Sequence, residues 1–415
     1  MTRLGDVSDM LVGFAFKSAG FLDADSDGIR LLRGDNVQQG YIRWGDKTKK
    51  WPAAQCDDLG RYQLAEDDVI LAMDRPIVGD GLKMAWIRQE DLPALLVQRV
   101  CRLRGKPGVA LTNFIRYVLA APNFSGHIHR ITTGANIPHI SGKDIAAYEF
   151  ELPDLDDQAR IVECLSAYDD LIATNQRRIA LLEDAARRLY REWFVHLRFP
   201  SHESVPVKDG VPEGWCKKPI AEQTSFLNRG IAPKYDDSAK GWVINQKCIR
   251  EGRLSMQPAR RQSKDVKPDR LVQVGDVLIN STGAGTLGRV AQVRTAVENC
   301  TVDTHVTIAR PLGNEWTAYL GQALLSLEPV FSEMGKGATN QLELSRGDIG
   351  AVEIWLPPLE ACKDFGRLVG PLLEQAESLL CANQSLAKAR DLLLPKLMSG
   401  QLDVSGIRLP DEVMV

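Results

Sequence analysis

An internal repeat is the feature that most constrains how this chain of 415 residues can fold. Three stretches of the first half recur in the same order in the second half. The pairs are residues 31–42 with 243–254, residues 68–71 with 276–279, and residues 136–153 with 340–357. The offset between the copies changes slowly along the chain, which indicates duplication followed by small insertions and deletions. The sequence therefore predicts two related folding units in one chain.

Each copy begins with sequence that is typical of short strands. Residues 69–73 and 277–279 are apolar runs that follow acidic or Gly-Asp residues, and glycine and proline are frequent around them. We therefore expect each copy to be an α+β globule rich in short strands.

Each copy then ends in a sequence with heptad periodicity. Apolar residues alternate at spacings of three and four over several heptads, with one polar position in each seam, Asn175 and Gln375. Seam members of the first copy are Ile161, Leu165, Tyr168, Ile172, Asn175, Ile179, Leu182, Ala186, Leu189 and Trp193. Those of the second are Phe365, Leu368, Leu372, Gln375, Leu379, Ala382, Leu386, Ala389 and Leu393. Two core helices would satisfy this pattern, but the length favours an antiparallel coiled coil.

These patterns predict five segments. They are a first globule at 1–153, a central helix at 154–198, a second globule at 199–357, a C-terminal helix at 358–400 and a tail at 401–415. The fold class is α+β, with two repeated domains that are each followed by a long helix, and the two helices pair with each other.

Composition restricts the function classes. Charged residues make up 25% of the chain and its net charge is −3, which is typical of a globular protein and mildly disfavours a nucleic-acid binder. None of the eight cysteines forms a CxxC pair, so we expect reduced thiols. Without a long apolar run or a signal-peptide core, the sequence predicts a cytoplasmic location and no membrane partner.

Motifs for catalysis are missing or explained otherwise. We find no P-loop and no Asn/Asp-Pro-Pro-aromatic methyltransferase motif. Residues 283–288 fit GxGxxG, but residues 289–293 alternate like a strand, which indicates a hairpin rather than a dinucleotide site. His127, His129 and His139 have no acidic or cysteine partner at metal-binding spacing. We therefore expect no catalytic residue and no metal site.

Several motifs resemble the specificity subunits of type I restriction-modification systems. The similarity covers nearly the whole chain. It is carried by LGDV at 4–7, GFAFKS at 13–18, EWFV at 192–195, FP at 199–200, VPEGW at 211–215 and RDLLLPKLMSG at 390–400.

This resemblance implies that each globule is a target recognition domain for one half of a bipartite site in double-stranded DNA. Two methylation subunits and further restriction subunits would bind the chain. S-adenosylmethionine, ATP and magnesium are then expected on those partners, with no cofactor on this chain. Two alternatives stay open: a stand-alone nuclease or methyltransferase, and a helical scaffold without a DNA role.

The DNA-binding candidates fall into two groups, and each has the alternative of an ordinary solvated side chain. Those predicted to read bases follow the repeated strand and are Arg33, Asn36, Asn245 and Lys247. Those predicted to contact phosphate are Lys17, Lys47, Lys49, Lys50, Arg229, Lys234, Arg260 and Arg261. The polar turns at 133–136 and 337–340 are matched and could support the same face.

Overall fold

A computed structural model describes residues 1–79, 81–132, 138–335 and 342–407. The chain divides into two compact units. Unit 1 contains Met1–Ile172 together with the chain from Gln384 onward, and unit 2 is Ala173–Asn383. Each unit therefore combines one globule with a part of both long helices.

Two sheets form the globule of unit 1. In the antiparallel four-stranded sheet the order is Ser8–Val12, Val100–Gly105, Val69–Ala72, Met84–Trp86. In the three-stranded sheet the order is Lys49–Trp51, Ile29–Leu32, Ala94–Leu96, and the last two strands are parallel. Two short pairs join Thr2–Arg3 to Glu149–Phe150 and Ile77–Val78 to Gly81–Leu82. The helices are Leu4–Val7, Thr112–Ala120, Pro122–Thr132 and Gly142–Ala146.

Unit 2 repeats this topology. Its four-stranded sheet has the order Thr224–Arg229, Val306–Pro311, Val277–Asn280, Val290–Gln292. Its three-stranded sheet has the order Arg260–Gln262, Gly241–Ile244, Cys300–Val302, again with the last two strands parallel. Short pairs are Val207–Lys208 with Val211–Pro212, Cys216–Pro219 with Glu353–Leu356, and Ile249–Arg250 with Arg253–Leu254. The helices are Thr317–Ser326, Glu328–Glu333 and Arg346–Ala351. The predicted repeat is therefore a repeat of fold.

A buried ion pair marks the same place in both copies. Asp276 is fully buried and accepts hydrogen bonds from Arg310 Nε at 2.8 Å and Nη2 at 2.9 Å, and from the Gln273 amide at 2.8 Å. In unit 1, Asp68 receives the same bidentate contact from Arg104 and the amide of Ala65. A carboxylate that is bonded on several sides can remain charged in a core.

Two long helices follow the globules, as the heptad patterns predict. The central helix is Leu155–Tyr190 and continues as a π-helical turn at Arg191–Val195, and the C-terminal helix is Leu359–Met398. Within unit 2, Asn175 Nδ2 donates to Asn383 Oδ1 at 2.9 Å, and the Trp193 and Phe365 rings lie 5.7 Å apart. The two helices thus run in opposite directions, which confirms antiparallel pairing. Within unit 1, Arg390 Nη1 binds Asp169 Oδ1 at 2.6 Å.

The predicted seam of the central helix is confirmed, because none of its members is exposed. The predicted phase of the C-terminal seam is wrong from Leu368 onward. Leu368 is 52% exposed and Gln375 is exposed, whereas the next residues, Val369 and Ala376, are fully buried. Neighbouring leucines, as at 372–373 and 379–380, satisfy either phase. Packing of Val369 and Ala376 therefore decides which of the two helix faces is buried.

All eight cysteines lie outside disulfide bonds. Among the described residues, no helix is both long and apolar enough to cross a membrane. The predicted segment boundaries stay a prediction. The two compact units do not test them, because each unit contains parts of both long helices.

Candidate nucleic-acid interface

The edge strand of each three-stranded sheet is basic. In unit 1, Lys49 lies opposite Leu31 on the neighbouring strand, and in unit 2, Arg260 lies opposite Val243. Lys49 and Lys50 therefore occupy the positions of Arg260 and Arg261. Four of the predicted phosphate contacts thus fall at equivalent places in the two copies.

In unit 1 this edge is built from lysines with partners. The Lys49 ammonium forms an ion pair with Asp23, and the hydrogen bond from Lys49 holds the pKa of that carboxyl below its usual range. Lys50 Nζ donates to the Ser26 carbonyl oxygen at 2.7 Å. Lys47, just before the strand, is exposed. These ammonium groups are point charges that a phosphate could bind in any direction.

In unit 2 the same edge is built from arginines stacked on aromatic rings. The guanidinium carbon of Arg260 lies 3.7 Å from the Tyr235 ring centroid, and that of Arg261 lies 3.6 Å from the Trp242 centroid. Arg261 Nη1 also donates to the Lys240 carbonyl oxygen at 2.9 Å. Stacking holds each planar guanidinium in one orientation, which suits two-point contact with an oxyanion.

The predicted base-reading loops follow the middle strands of these sheets. Asn36 is buried, with its Oδ1 accepting from the Arg33 amide at 3.0 Å and its Nδ2 donating to the Arg43 carbonyl at 3.1 Å. Asn245 uses its amide in the same way, with the Lys247 amide and the Pro258 carbonyl, both at 2.8 Å. Since both amides are committed to their own loops, this geometry favours a loop-shaping role, and base contact by them stays a prediction.

Hydrogen bonds bring these loops close to the basic edges. Arg33 Nη2 donates to the Lys47 carbonyl at 3.4 Å, and the bond from Asn245 to Pro258 ends two residues before Arg260. The Lys247 side chain is exposed. Each unit therefore gathers its candidate base-reading loop and its basic edge strand at one place.

Three other candidates lie in different surroundings. Exposed Lys17 follows Phe16, whose ring packs against Trp51 of the edge strand. Lys234 is exposed, and its carbonyl oxygen accepts a hydrogen bond from the Ser263 amide at 2.9 Å, so it lies beside the edge strand of unit 2. Arg229 is not on the edge strand, and its guanidinium binds Glu343 and the Leu344 carbonyl.

A second matched surface was missed by the sequence analysis, and we name it the corner cluster. In unit 1 it consists of Asp74, Arg99 and His139, and in unit 2 of Thr282, His305 and Glu343. The backbone hydrogen bonds and bridges around it match in the two copies. The Met73 amide donates to the Arg99 carbonyl at 2.9 Å and the Ser281 amide to the His305 carbonyl at 2.8 Å, while isolated antiparallel bridges join Asp74 to His139 and Thr282 to Glu343.

The corner cluster adjoins the candidate base-reading loops. The Val97 amide donates to the Leu32 carbonyl at 3.1 Å, and the Asp303 amide donates to the Ile244 carbonyl at 2.9 Å. These bonds join the segments that lead to Arg99 and His305 to the ends of the strands before the loops. Only His139 drew attention in the sequence, as a member of a histidine group considered for metal.

The remaining motifs are structural in this fold. Residues 283–288 connect Val277–Asn280 to Val290–Gln292 in an antiparallel hairpin, as predicted. His127 Nε2 lies 3.0 Å from the Asp144 carbonyl oxygen. Within the ranges that the structure describes, no three His, Cys, Asp or Glu side chains are grouped to hold a metal ion. The polar turns at 133–136 and 337–340 lie outside the described residues.

By fold, the chain belongs to the class of duplicated α+β proteins whose copies are each followed by a long helix. A solved structure described as the type I restriction-modification system S subunit from M. genitalium shares this fold, with a TM-score of 0.57, 16% identity and coverage of 95% of both chains. Residues 1–184 match the family described as the type I restriction modification DNA specificity domain.

Curated relatives carry the same description. The EcoAI specificity subunit of Escherichia coli is 37% identical over 174 residues, which are 41% of this chain and 28% of that protein. The MjaIX specificity subunit of Methanocaldococcus jannaschii is 25% identical over 312 residues, 73% of this chain and 71% of that protein. The chain thus spans less than a third of the length of the EcoAI subunit. Over the matched residues, the chain is similar to the specificity subunits of type I restriction-modification systems.

Proposed function

We propose that this chain is the sequence-specific DNA-binding subunit of a type I restriction-modification complex. Each unit reads one half of a bipartite site in double-stranded DNA. The observation that carries this proposal is the pair of basic edge strands at equivalent positions, each beside a loop whose sequence differs between the copies. Conserved placement of cations suits phosphate contact, whereas differing loops suit different base sequences.

Catalysis would then come from the partners. We propose that two methylation subunits bind this chain and methylate adenine with S-adenosylmethionine, and that restriction subunits add cleavage with ATP and magnesium. The chain itself would have no catalytic role and would act in the cytoplasm. The similarity of residues 1–184 to the DNA specificity domain and the lack of catalytic motifs in the sequence support this division.

Site mapping tests this function. The full chain is purified with its methylation subunits, and random-sequence duplex DNA is selected by binding and sequenced. We expect two short conserved blocks separated by a gap of fixed length, with methylation only when S-adenosylmethionine and the methylation subunits are present. Methyl transfer or cleavage by the isolated chain would favour the stand-alone enzyme. Failure to enrich any DNA would favour the scaffold.

A further inference from the structure

The corner cluster combines a shared backbone frame with side chains that differ completely between the copies. The residues just after it keep their roles, because Ser141 with Asp144 and Ser345 with Asp348 form the same capping box at a helix start. Positions that serve stability would keep their chemistry in both copies. Here the exposed side chains change while the backbone contacts around them are kept. This pattern is expected of residues that select a partner.

In unit 1 the corner cluster presents a guanidinium and an imidazole to solvent. The Asp74 carboxylate accepts Arg99 Nη1 at 2.7 Å and bonds His139 Nδ1 at 2.6 Å. Burial raises the pKa of Asp74, but the hydrogen bonds from Arg99 and His139 outweigh burial and hold that pKa below its usual value, so the carboxyl is ionised at neutral pH. The Arg99 side chain is 60% exposed and that of His139 is 48% exposed. In the described part of the chain, their remaining nitrogens have no further hydrogen bond.

The backbone at Arg99 supports a functional role. Its φ is +69°, in the left-handed region that non-glycine residues rarely occupy. Such outliers concentrate at functional sites, where the surroundings hold a side chain in a required direction. Here the Met73 amide bonds the Arg99 carbonyl, and Asp74 fixes the guanidinium.

The corner cluster of unit 2 presents a hydrogen-bond acceptor to solvent instead of a donor. Thr282 Oγ1 lies 2.7 Å from His305 Nδ1, and the Glu343 carboxylate is held by Arg229 with 55% of its side chain exposed. A guanidinium fits the two acceptors on the major-groove edge of guanine, whereas a carboxylate accepts from the amino group of cytosine. The corner cluster therefore offers a guanidinium in one copy and a carboxylate in the other.

We propose that the corner cluster is a specificity-determining element, with Arg99 selecting a guanine in the half-site read by unit 1 and Glu343 selecting a base with an exocyclic amino group in the half-site read by unit 2. This inference rests on the proposed function. It adds residues that lie beside the predicted loops but outside them. Asp74 acts as a positioning residue, since it contacts Arg99 and His139 rather than the base.

The test replaces the corner-cluster side chains of one copy by those of the other. The triple variant Asp74→Thr, Arg99→His, His139→Glu gives unit 1 the side chains of unit 2. The full chain with its methylation subunits is used to select sites from random-sequence duplex DNA. We expect guanine preference at one position of one block to fall about tenfold or more, while the other block and the gap stay unchanged. Arg3→Gln, which removes an exposed ion pair with Glu149 in the same unit, is the control and should change neither block.

Each result decides between clear alternatives. Unchanged preferences in both blocks, or an even loss of affinity for all sequences, would overturn the inference and leave the proposed function intact. If the wild-type complex selects no split site, the proposed function and the inference both fail. If the triple variant does not fold, Arg99→Lys decides, because it keeps the charge and removes the planar fork. A fivefold or greater loss of preference for that guanine supports the inference, and an unchanged preference overturns it.

Discussion

Units 1 and 2 have the same interior and different surfaces. Asp68 with Arg104 and Asp276 with Arg310 form the same bidentate pair at the same place in the four-stranded sheets. The edge strands, in contrast, carry paired lysines in one unit and ring-stacked arginines in the other. Duplication has thus preserved the contacts that stabilise the fold and changed those that face solvent. The comparison indicates where recognition differs between the halves.

The largest expected effect comes from breaking the buried ion pair that both units share. Asp276→Ala leaves the guanidinium of Arg310, which is only 14% exposed, without its carboxylate. We expect a loss of about 3–5 kcal/mol in the free energy of unfolding of unit 2. Asp68→Ala should cost less, because Arg104 is 36% exposed and water can solvate it. Hydrogen exchange in Val277–Asn280 and Val69–Ala72 reports each unit separately. Equal losses of protection, or none, would contradict this ranking.

A second prediction concerns how the central helix is held in unit 2. Glu183 accepts Arg253 Nη2 at 2.6 Å and Arg294 Nη1 at 3.3 Å. Burial raises the pKa of Glu183, but the two arginines outweigh burial and lower that pKa below its ordinary value of 4.5. The stabilisation is therefore present above pH 4.5 and is lost as the pH falls through the lowered pKa.

Glu183→Gln tests this sign. We expect the variant to lose about 2–3 kcal/mol in the free energy of unfolding at pH 7, and the difference from wild type to shrink below pH 4.5. Denaturant unfolding across this pH range provides the measurement. Glu192→Gln, at an exposed ion pair with Arg198, is the control and should change little. A difference that stays constant with pH would show that the Glu183 charge is not responsible.

The edge strands give a third prediction. Arg260→Ala with Arg261→Ala should weaken binding evenly across sequences and reduce the slope of log affinity against log salt by roughly 2. Lys49→Ala with Lys50→Ala should have a smaller effect, because both ammonium groups already have partners in unit 1. Binding is measured by titration at several salt concentrations, with Arg188→Ala on the central helix as control. Equal salt slopes for all three variants would remove the edge strands from the interface.

Sequence reasoning predicted the features that depend on local periodicity. The repeat, the two helices and the hairpin at 283–288 could all be inferred from spacing. The phase of the C-terminal seam could not, because paired leucines satisfy both phases until Val369 and Ala376 pack. The corner cluster could not either. Arg99 and His139 stand 25 and 65 residues from Asp74, and only the folded sheets bring them together.

The side-chain amides that are hydrogen-bonded within their own loops show a related difficulty. Asn36 and Asn245 have the residue type that reads adenine, but type alone cannot tell a free amide from one that shapes its own loop. The structure favours the second role for both. Lys247, in contrast, is exposed beside the basic edge of unit 2, which makes it the sharpest test of recognition in that half.

The central claim is that each unit reads its own half-site, and Lys247→Ala tests it most directly. The full complex selects random-sequence duplex DNA, and the enriched sites of variant and wild type are compared block by block. We expect weaker discrimination at one or two positions of a single block, by about 1–3 kcal/mol, with the other block and the gap unchanged. Equal weakening of both blocks, or no change in either, would contradict independent reading by the two units.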